Sequence, residues 1–551
     1  MSDGHGRLWI TFNGEIYNYR ETRSLLQQFG HRFITLSDTE VILAAYSQWG
    51  ASCVDRFRGM FAFALWDEKE RSLFAARDPF GEKPLYFAVH QNDTLVIASE
   101  IKSIIASGLV TPQIDLDMVD AYLALGYVPP DRTIYSNVQT LPPGHCLTWA
   151  KGEIKVFAYW QPVLNTKAIT VSAAGDRLRE LLKQAVKRQM VADVPVGAFL
   201  SGGFDSSTVV ALMQMQSVTP VKTFSVGFGS YTNELPYARA VSTKYRTEHH
   251  EIDLGTPDVP GMLLRMAEVY DEPFADSSNI PTYLMSEFAR QHVKVVLTGD
   301  GADELFGGYT WTYPGLVKSG VAQDSLVLWL VLRSLSKLLR HRWKSLALTS
   351  AACGLAARWP DMWSRQVAQS IYIKRARREG IWGTRSGEVL SYHPGDYFQP
   401  PAEVQGANKG FYFDLKSYLP GDILVKVDRA AMAHGLETRA PFLDRDLAEF
   451  ALSLPVNLKV DDQTTKVLLQ KACERFWPDE LRGRNKQGFG SPIQPWLKVK
   501  GVTSLMQDVF SPSSRLSRLL PGIASRRAGG VLEDWILLVL GLWLEKNRVQ
   551  V

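Results

Sequence analysis

The stretch Ser201-Gly202-Gly203-Phe204-Asp205-Ser206-Ser207 sets hydroxyls, two adjacent glycines and an acid directly after the apolar run Ala198-Phe199-Leu200. The run reads as the end of a buried strand, and Ser-Gly-Gly as a tight turn into a helix that begins near Asp205. Such a corner binds anions. Its glycines let the backbone approach phosphate oxygens, and the first helical turn offers free N–H groups and a favourable dipole. No lysine of the Walker kind follows, which disfavours a kinase- or GTPase-type loop. An acid at position 205 would repel bound phosphate unless Mg²⁺ lay between them, so the loop suits Mg-pyrophosphate. The same letters also describe an ordinary strand-turn-helix corner with an Asp cap. A second stretch, Thr298-Gly299-Asp300-Gly301-Ala302-Asp303-Glu304, follows the apolar Val295-Val296-Leu297 and carries three acids. These invite a metal or an acid/base role, or simply cap a helix.

Both stretches need a scaffold. From position 176 onward, helical and strand patterns alternate: helix 208–215, strand 221–228, helix 235–245, strand 249–252, helix 261–270 and strand 293–297. This is the βαβ signature of a doubly wound parallel sheet, whose ligands lie beyond the C-terminal strand ends. Both candidate loops fall there. Upstream, the apolar stripe Leu178, Leu181, Leu182, Ala185 and Val186 has helical spacing and reads as core.

The first 160 residues have another character. Leu8 to Phe12 is a buried-strand pattern ending in an Asn13-Gly14-Glu15 turn signature, and Ser37-Asp38-Thr39-Glu40 is a capping-box signal before a helix. Strand candidates at 61–66, 72–76, 85–89, 94–98, 146–149 and 156–160 predict a mostly antiparallel α+β domain. The expected organisation is 1–160, a linker at 161–175, and 176–551. With 551 residues and a net charge of only +4, the chain shows no extended polyanion-binding surface. Cys53, Cys146, Cys353 and Cys473 lie far apart without a CxxC pair, which indicates neither a disulfide framework nor a zinc cluster and fits a reducing cytoplasm. The apolar runs 326–332 and 535–544 are too short to span a bilayer and read as buried helices.

The first loop resembles the SGGxDSS loop of ATP pyrophosphatases, with Phe204 in place of the more usual Leu. Phe12-Asn-Gly-Glu-Ile-Tyr-Asn-Tyr19, Ser37-Asp-Thr-Glu40, Phe57-Arg-Gly-Met-Phe-Ala-Phe63, Arg77-Asp-Pro-Phe-Gly81, Lys83-Pro-Leu-Tyr86 and Ala98-Ser-Glu-Ile-Lys102 resemble the glutaminase domain of glutamine-dependent asparagine synthetases. The resemblance covers nearly the whole chain. It implies an N-terminal Ntn-type glutaminase sandwich, incomplete here, and a C-terminal doubly wound ATP pyrophosphatase domain with extra helices. It further implies ATP-dependent amidation of aspartate through β-aspartyl-AMP. By the same resemblance Asn13, Gly14, Glu15 and Asp38 hold glutamine, and Asp205 and Asp303 hold Mg²⁺. Asp300 lies near the reacting carbonyl, and Lys486 acts against pyrophosphate. Phe199, Leu200, Val226, Thr298 and Gly299 surround the nucleotide with Ser201 to Ser207. Asp271 to Ser278 resembles a substrate-side loop. The charged stretches 427–434 and 436–444 are family-like too, and read equally as a buried ion-pair network or as site walls.

One departure stands out. Family glutaminases use a cysteine at the mature N-terminus, whereas the first cysteine here is Cys53. The expectation is a missing upstream segment, from a misplaced start or a real truncation; the latter would leave a synthetase fed by free ammonia. Two other readings stay open: an adenylating enzyme closing an amide or lactam on another carboxylate, and a non-catalytic or RNA-binding relative. Near-neutral charge and the retained Asp205, Asp303 and Lys486 favour small-molecule partners over nucleic acid or membrane. Relatives often dimerise, which leaves a homodimer open.

Overall fold

The computed structural model describes residues 1–91, 94–227, 234–255, 257–310, 312–313, 367, 369–390, 392–461, 463–481, 490–525 and 529–550. Its N-terminal half is built on two antiparallel sheets. Strands β1 (Leu8–Ile16), β2 (Gly59–Asp67), β3 (Ser72–Arg77), β7 (His145–Ala150) and β8 (Glu153–Ala158) pair in that order. A smaller sheet has the order β5 (Thr94–Ala98), β4 (Tyr86–His90), β6 (Gln139–Thr140). Residue size explains the layering. Along β2, Phe61, Phe63 and Leu65 point to one face and pack with Leu26, Val41 and Ile42 of the helices Tyr19–Gln28 and Asp38–Trp49. Ala62 and Ala64 point to the other face, where small side chains let the second sheet approach through Leu85 and Phe87.

Two local expectations are corrected. Asn13-Gly14-Glu15 is not a turn: β1 runs through it to Ile16, with Gly14 opposite Phe61 on β2. A Cβ on Gly14 would sit 2.1 Å from the Met60 carbonyl oxygen, and one on Gly59 2.1 Å from that of Glu15. The glycine serves close strand approach rather than chain reversal. The capping box is only half formed. Ser37 Oγ accepts from the Thr39 N–H at 3.1 Å, but Glu40 reaches back to the N–H groups of Ile34 and Thr35 at 2.8 and 2.7 Å instead of Ser37.

The C-terminal half carries a fully parallel sheet in the order β11 (Glu248–Asp253), β10 (Lys222–Gly227), β9 (Val196–Phe199), β12 (Val295–Leu297), β13 (Glu437–Arg439). The expected α/β and α+β combination is therefore what the chain adopts. One face of the sheet is covered by the helices Val171–Gln189 and Phe204–Gln214, the former presenting its Leu178 to Val186 stripe. The other is covered through Phe224, Val296, Ala289 and Ala431, the last two from the helices Asn279–Arg290 and Leu424–Met432. The run at 535–544 is a buried helix, Val531–Lys546. The run at 326–332 lies outside the described residues.

The halves interlock through buried charge. Lys83 Nζ lies 2.9 Å from Asp428, Arg429 lies 3.2 Å from Glu100 as well as 3.1 Å from Asp271 of its own half, and the part-buried Arg58 lies 2.9 Å from Asp446. Asp78 and Arg77 clamp the loop that offers Lys83. The Asp78 carboxylate accepts from the backbone N–H groups of Gly81 and Lys83 at 2.7 and 2.9 Å, and Arg77 donates to the carbonyls of Lys83 and Leu141 at 2.7 and 2.9 Å. Much of stretch 427–444 is thus an ion-pair network.

Candidate functional site

The C-terminal ends of β9 and β12 are adjacent, so the two loops that follow them meet. After Phe199, Leu200 donates its N–H to the Phe224 carbonyl at 2.9 Å, tying the turn to β10, whose Val226 lies at the same edge. Ser201 is exposed, Gly202 takes φ +69°, and Gly203 caps the Phe204–Gln214 helix. Ser206 Oγ lies 3.1 Å from Ser201 Oγ and holds the turn closed. Ser207 is fully buried, with its hydroxyl in the core rather than on the open side. Phe204 stacks on Trp477 at 4.2 Å between centroids and roots the loop from beneath, as an apolar residue at that position should. From the β12 side, a Cβ on Gly299 would meet the Asp205 Cβ at 2.9 Å, so only glycine allows this approach. The Thr298 N–H donates to the Arg439 carbonyl at 2.9 Å.

The structure adds a residue that nothing in the sequence flagged. Lys466 Nζ lies 2.5 Å from Asp205 Oδ2 and 2.6 Å from Asp303 Oδ1, with its side chain only 4% exposed. Burial works against its charge, but the two carboxylates outweigh that and hold its pKa above the ordinary value. Lys466 also takes a left-handed backbone, φ +53°, unusual outside glycine and common at functional sites. Two carboxylates about 100 positions apart in the sequence thus converge on one cation-sized point. These residues fit a divalent cation: Mg²⁺ needs one or two carboxylates and takes its remaining ligands from phosphate and water. No group of three or more acid, His or Cys ligands occurs among the described residues.

Asp300 sits beside this pair. Burial pushes its carboxyl above the usual range, the Thr298 hydroxyl opposes the shift, and the Lys426 charge is felt nearby. Lys426 Nζ is 2.8 Å from Asp276, a second basic residue the sequence did not single out. Within the substrate-side stretch, Asp271 and Glu272 accept the N–H groups of Ile101 and Ile134 at 2.7 and 2.6 Å, which commits them to the interface between halves. Lys486 lies outside the described residues.

The four residues of the other candidate site cluster at the end of β1. Asn13 Nδ2 donates to Ser99 Oγ at 3.3 Å, Asp38 accepts the Ile16 N–H at 3.0 Å, and Glu15 lies 3.6 Å from the Arg439 guanidinium. Burial raises the Glu15 carboxyl to about 7, with Arg439 opposing. Ionised Glu15 suits an ammonium group. A ligand bound through its α-ammonium is therefore expected to bind more tightly as pH rises from 6 to 8, and Glu15→Gln to flatten that dependence in calorimetric titrations. Cys53 is buried, its thiol pushed up to about 12, which is the wrong direction for a nucleophile.

Arg439 belongs to both sites: its carbonyl holds Thr298, and its side chain faces Glu15. A glycine turn that opens a helix beside two converging acids at the strand ends of a parallel sheet, joined to a layered antiparallel domain, is a build suited to an enzyme that handles phosphate groups. The asparagine synthase family matches residues 177–534, and the glutamine amidotransferase domain matches residues 1–160. Glutamine-hydrolysing asparagine synthetase 1 of Bacillus subtilis is 32% identical over 98% of this chain and 85% of its own length. A putative glutamine-hydrolysing asparagine synthetase of Mycobacterium tuberculosis is 36% identical over 90% of this chain and 76% of its own. An amidase of Gibberella zeae, chry2, is 28% identical over 90% and 78% respectively. The chain belongs to the asparagine synthase family and is a carbon–nitrogen ligase of that type. Among the described residues no helix is long and apolar enough to cross a membrane.

Proposed function

We propose that the protein amidates L-aspartate at the expense of ATP, through β-aspartyl-AMP, with AMP and pyrophosphate as products. The observation that carries this reading is the convergence of Asp205 and Asp303 on one cation beside the phosphate loop. ATP lies across the ends of β9, β10 and β12, its adenosine near Phe199, Val226, Thr298 and Gly299. Its phosphates lie over Ser201 to Ser206. Asp205 and Asp303 would hold Mg²⁺, which when bound neutralises charge on the pyrophosphate being expelled. A β-carboxylate oxygen of aspartate attacks the α-phosphorus, and the bond to the bridging oxygen breaks with its electrons on pyrophosphate. Lys466, whose ammonium lies between the two acids, would stabilise the same charge, and Lys486 has that role by resemblance. Ammonia then adds to the acyl carbon, AMP leaves with the C–O electrons, and the Asp300 carboxylate takes a proton from the incoming nitrogen. Ammonia comes from glutamine held by Asn13, the Gly14 N–H, Glu15 and Asp38, or is supplied free.

Pyrophosphate release with Mg-ATP and aspartate, with ammonium in one vessel and glutamine in another and asparagine quantified in both, tests this directly. Asparagine formation with ammonium is the expected result. A folded, ATP-binding chain that releases pyrophosphate only with a different carboxylate would overturn the aspartate assignment and favour the amide- or lactam-forming reading, to which the amidase relative gives weight.

A further inference from the structure

A cavity of about 230 Å³ lies where the Pro142-Pro143 turn, the chain after β8 and the helical segment Asp414–Ile423 come together. It shares no lining residue with the phosphate loop or with the residues around Glu15. Most of its wall is rigid and apolar, dominated by Pro143, Trp160 and Phe398. Besides the Tyr397 phenol, three titratable side chains interrupt that wall: Asp131, His145 and Lys416.

These three are not spent on one another. Asp131 Oδ1 is shut off from solvent and accepts no hydrogen bond. Asp131 feels the charge of its exposed neighbour Arg132 and, less, that of Lys416, yet no ion pair within 4.0 Å joins it to either among the described residues. His145 donates from Nδ1 to the Pro143 carbonyl at 2.8 Å, which leaves Nε2 as an acceptor. Burial pushes Asp131 up and pushes both Lys416 and His145 down, so each group is biased toward its neutral form. A chain gains nothing in stability from an acid and a base held apart in an apolar recess. Something carrying both charges would satisfy them together.

We propose that this cavity binds a small zwitterionic α-amino acid, its ammonium on Asp131, its carboxylate on Lys416 and its side chain against Trp160 and Phe398. A simple anion would face Asp131, and a simple cation would face Lys416; only a dipolar ligand matches both. The volume corresponds to about eight waters, the scale of a small amino acid. Pro143 and His145 come from the amidotransferase half and Phe398 and Lys416 from the ligase half, so an occupant is gripped by both. That position lets amino-acid supply bear on how the halves hold together, separately from substrate binding at either site.

The test is calorimetric titration of the full chain, without ATP, with each of the standard L-amino acids other than glutamine and aspartate, which the two substrate sites would take. At least one is expected to bind, and Asp131→Asn and Lys416→Gln are each expected to weaken it by about tenfold or more. Mg-ATP binding and melting temperature should be unchanged in both variants. Should either variant fold poorly, the wild-type chain carries the test alone: the des-amino analogue and the carboxamide of the bound amino acid should both bind about tenfold more weakly. The proposal fails if no amino acid binds, if binding survives both substitutions, or if the analogues bind as well as the amino acid.

Discussion

Asp303→Asn is expected to slow pyrophosphate release by at least about 100-fold, and Asp205→Asn to do the same, with the fold kept. The reason lies in geometry rather than in either acid alone. Each supplies one oxygen to a single point, now held by Lys466 at 2.5 and 2.6 Å, and an amide there can neither neutralise a divalent cation nor hold the ammonium in place. The charge that develops on departing pyrophosphate then goes uncompensated. Initial rates against Mg²⁺ concentration separate the alternatives. A loss that excess Mg²⁺ largely restores locates the defect in metal affinity, and one that it does not locates it in the reacting complex. Wild-type rates in both variants would remove the basis for the proposed metal site. The melting temperature should move little, because Lys466 keeps its other carboxylate.

The largest effect on stability is expected from Asp120→Ala, at about 3–5 kcal/mol. Asp120 lies in the first 160 residues, yet its partners lie far along the chain. Its two oxygens accept from Arg378 Nε at 3.0 Å each, from Trp382 Nε1 at 2.8 Å and from the Tyr392 N–H at 2.9 Å. The side chains of the pair are 2% and 1% exposed. Deleting the carboxylate strands a guanidinium whose other donors already go to the Ile373 and Tyr392 carbonyls. Urea denaturation of the variant checks the size of the loss. The double variant Asp120→Ala/Arg378→Met should recover part of it, because the stranded charge is then gone. No recovery would mean that the cost lies in packing around Trp382 rather than in the unpaired charge.

Local patterns were legible wherever one residue type had one structural use. The stripe from Leu178 to Val186 is core because its spacing leaves a helix no other way to bury it. Strand β5 and the helix Leu235–Tyr245 have the bounds that alternation and periodicity predict. Strand β13 was not legible: Glu437-Thr438-Arg439 has no apolar residue, and it becomes a sheet strand because Arg439 satisfies Glu437 at 2.6 Å and the carbonyls of Gln189 and Val191 at 2.8 and 2.7 Å. Asn13-Gly14-Glu15 misled for a related reason. A glycine after asparagine marks a turn when the chain reverses, but here it relieves contact with the carbonyl of Met60 on a neighbouring strand.

The linear order of residues by itself determined the two loops, the acids on them and the kind of sheet that must present them, since glycine turns after apolar runs follow from backbone sterics and burial within a few residues. Only the tertiary structure decided that Lys466 stands between Asp205 and Asp303, that Arg439 touches both sites, and that Asp131 and Lys416 line one cavity without an ion pair between them. Each is a relation between side chains distant in sequence. Charged residues carry no periodic signature of their partners, because a Coulomb interaction depends on distance in space and on the local dielectric, and both are set only once the core has closed.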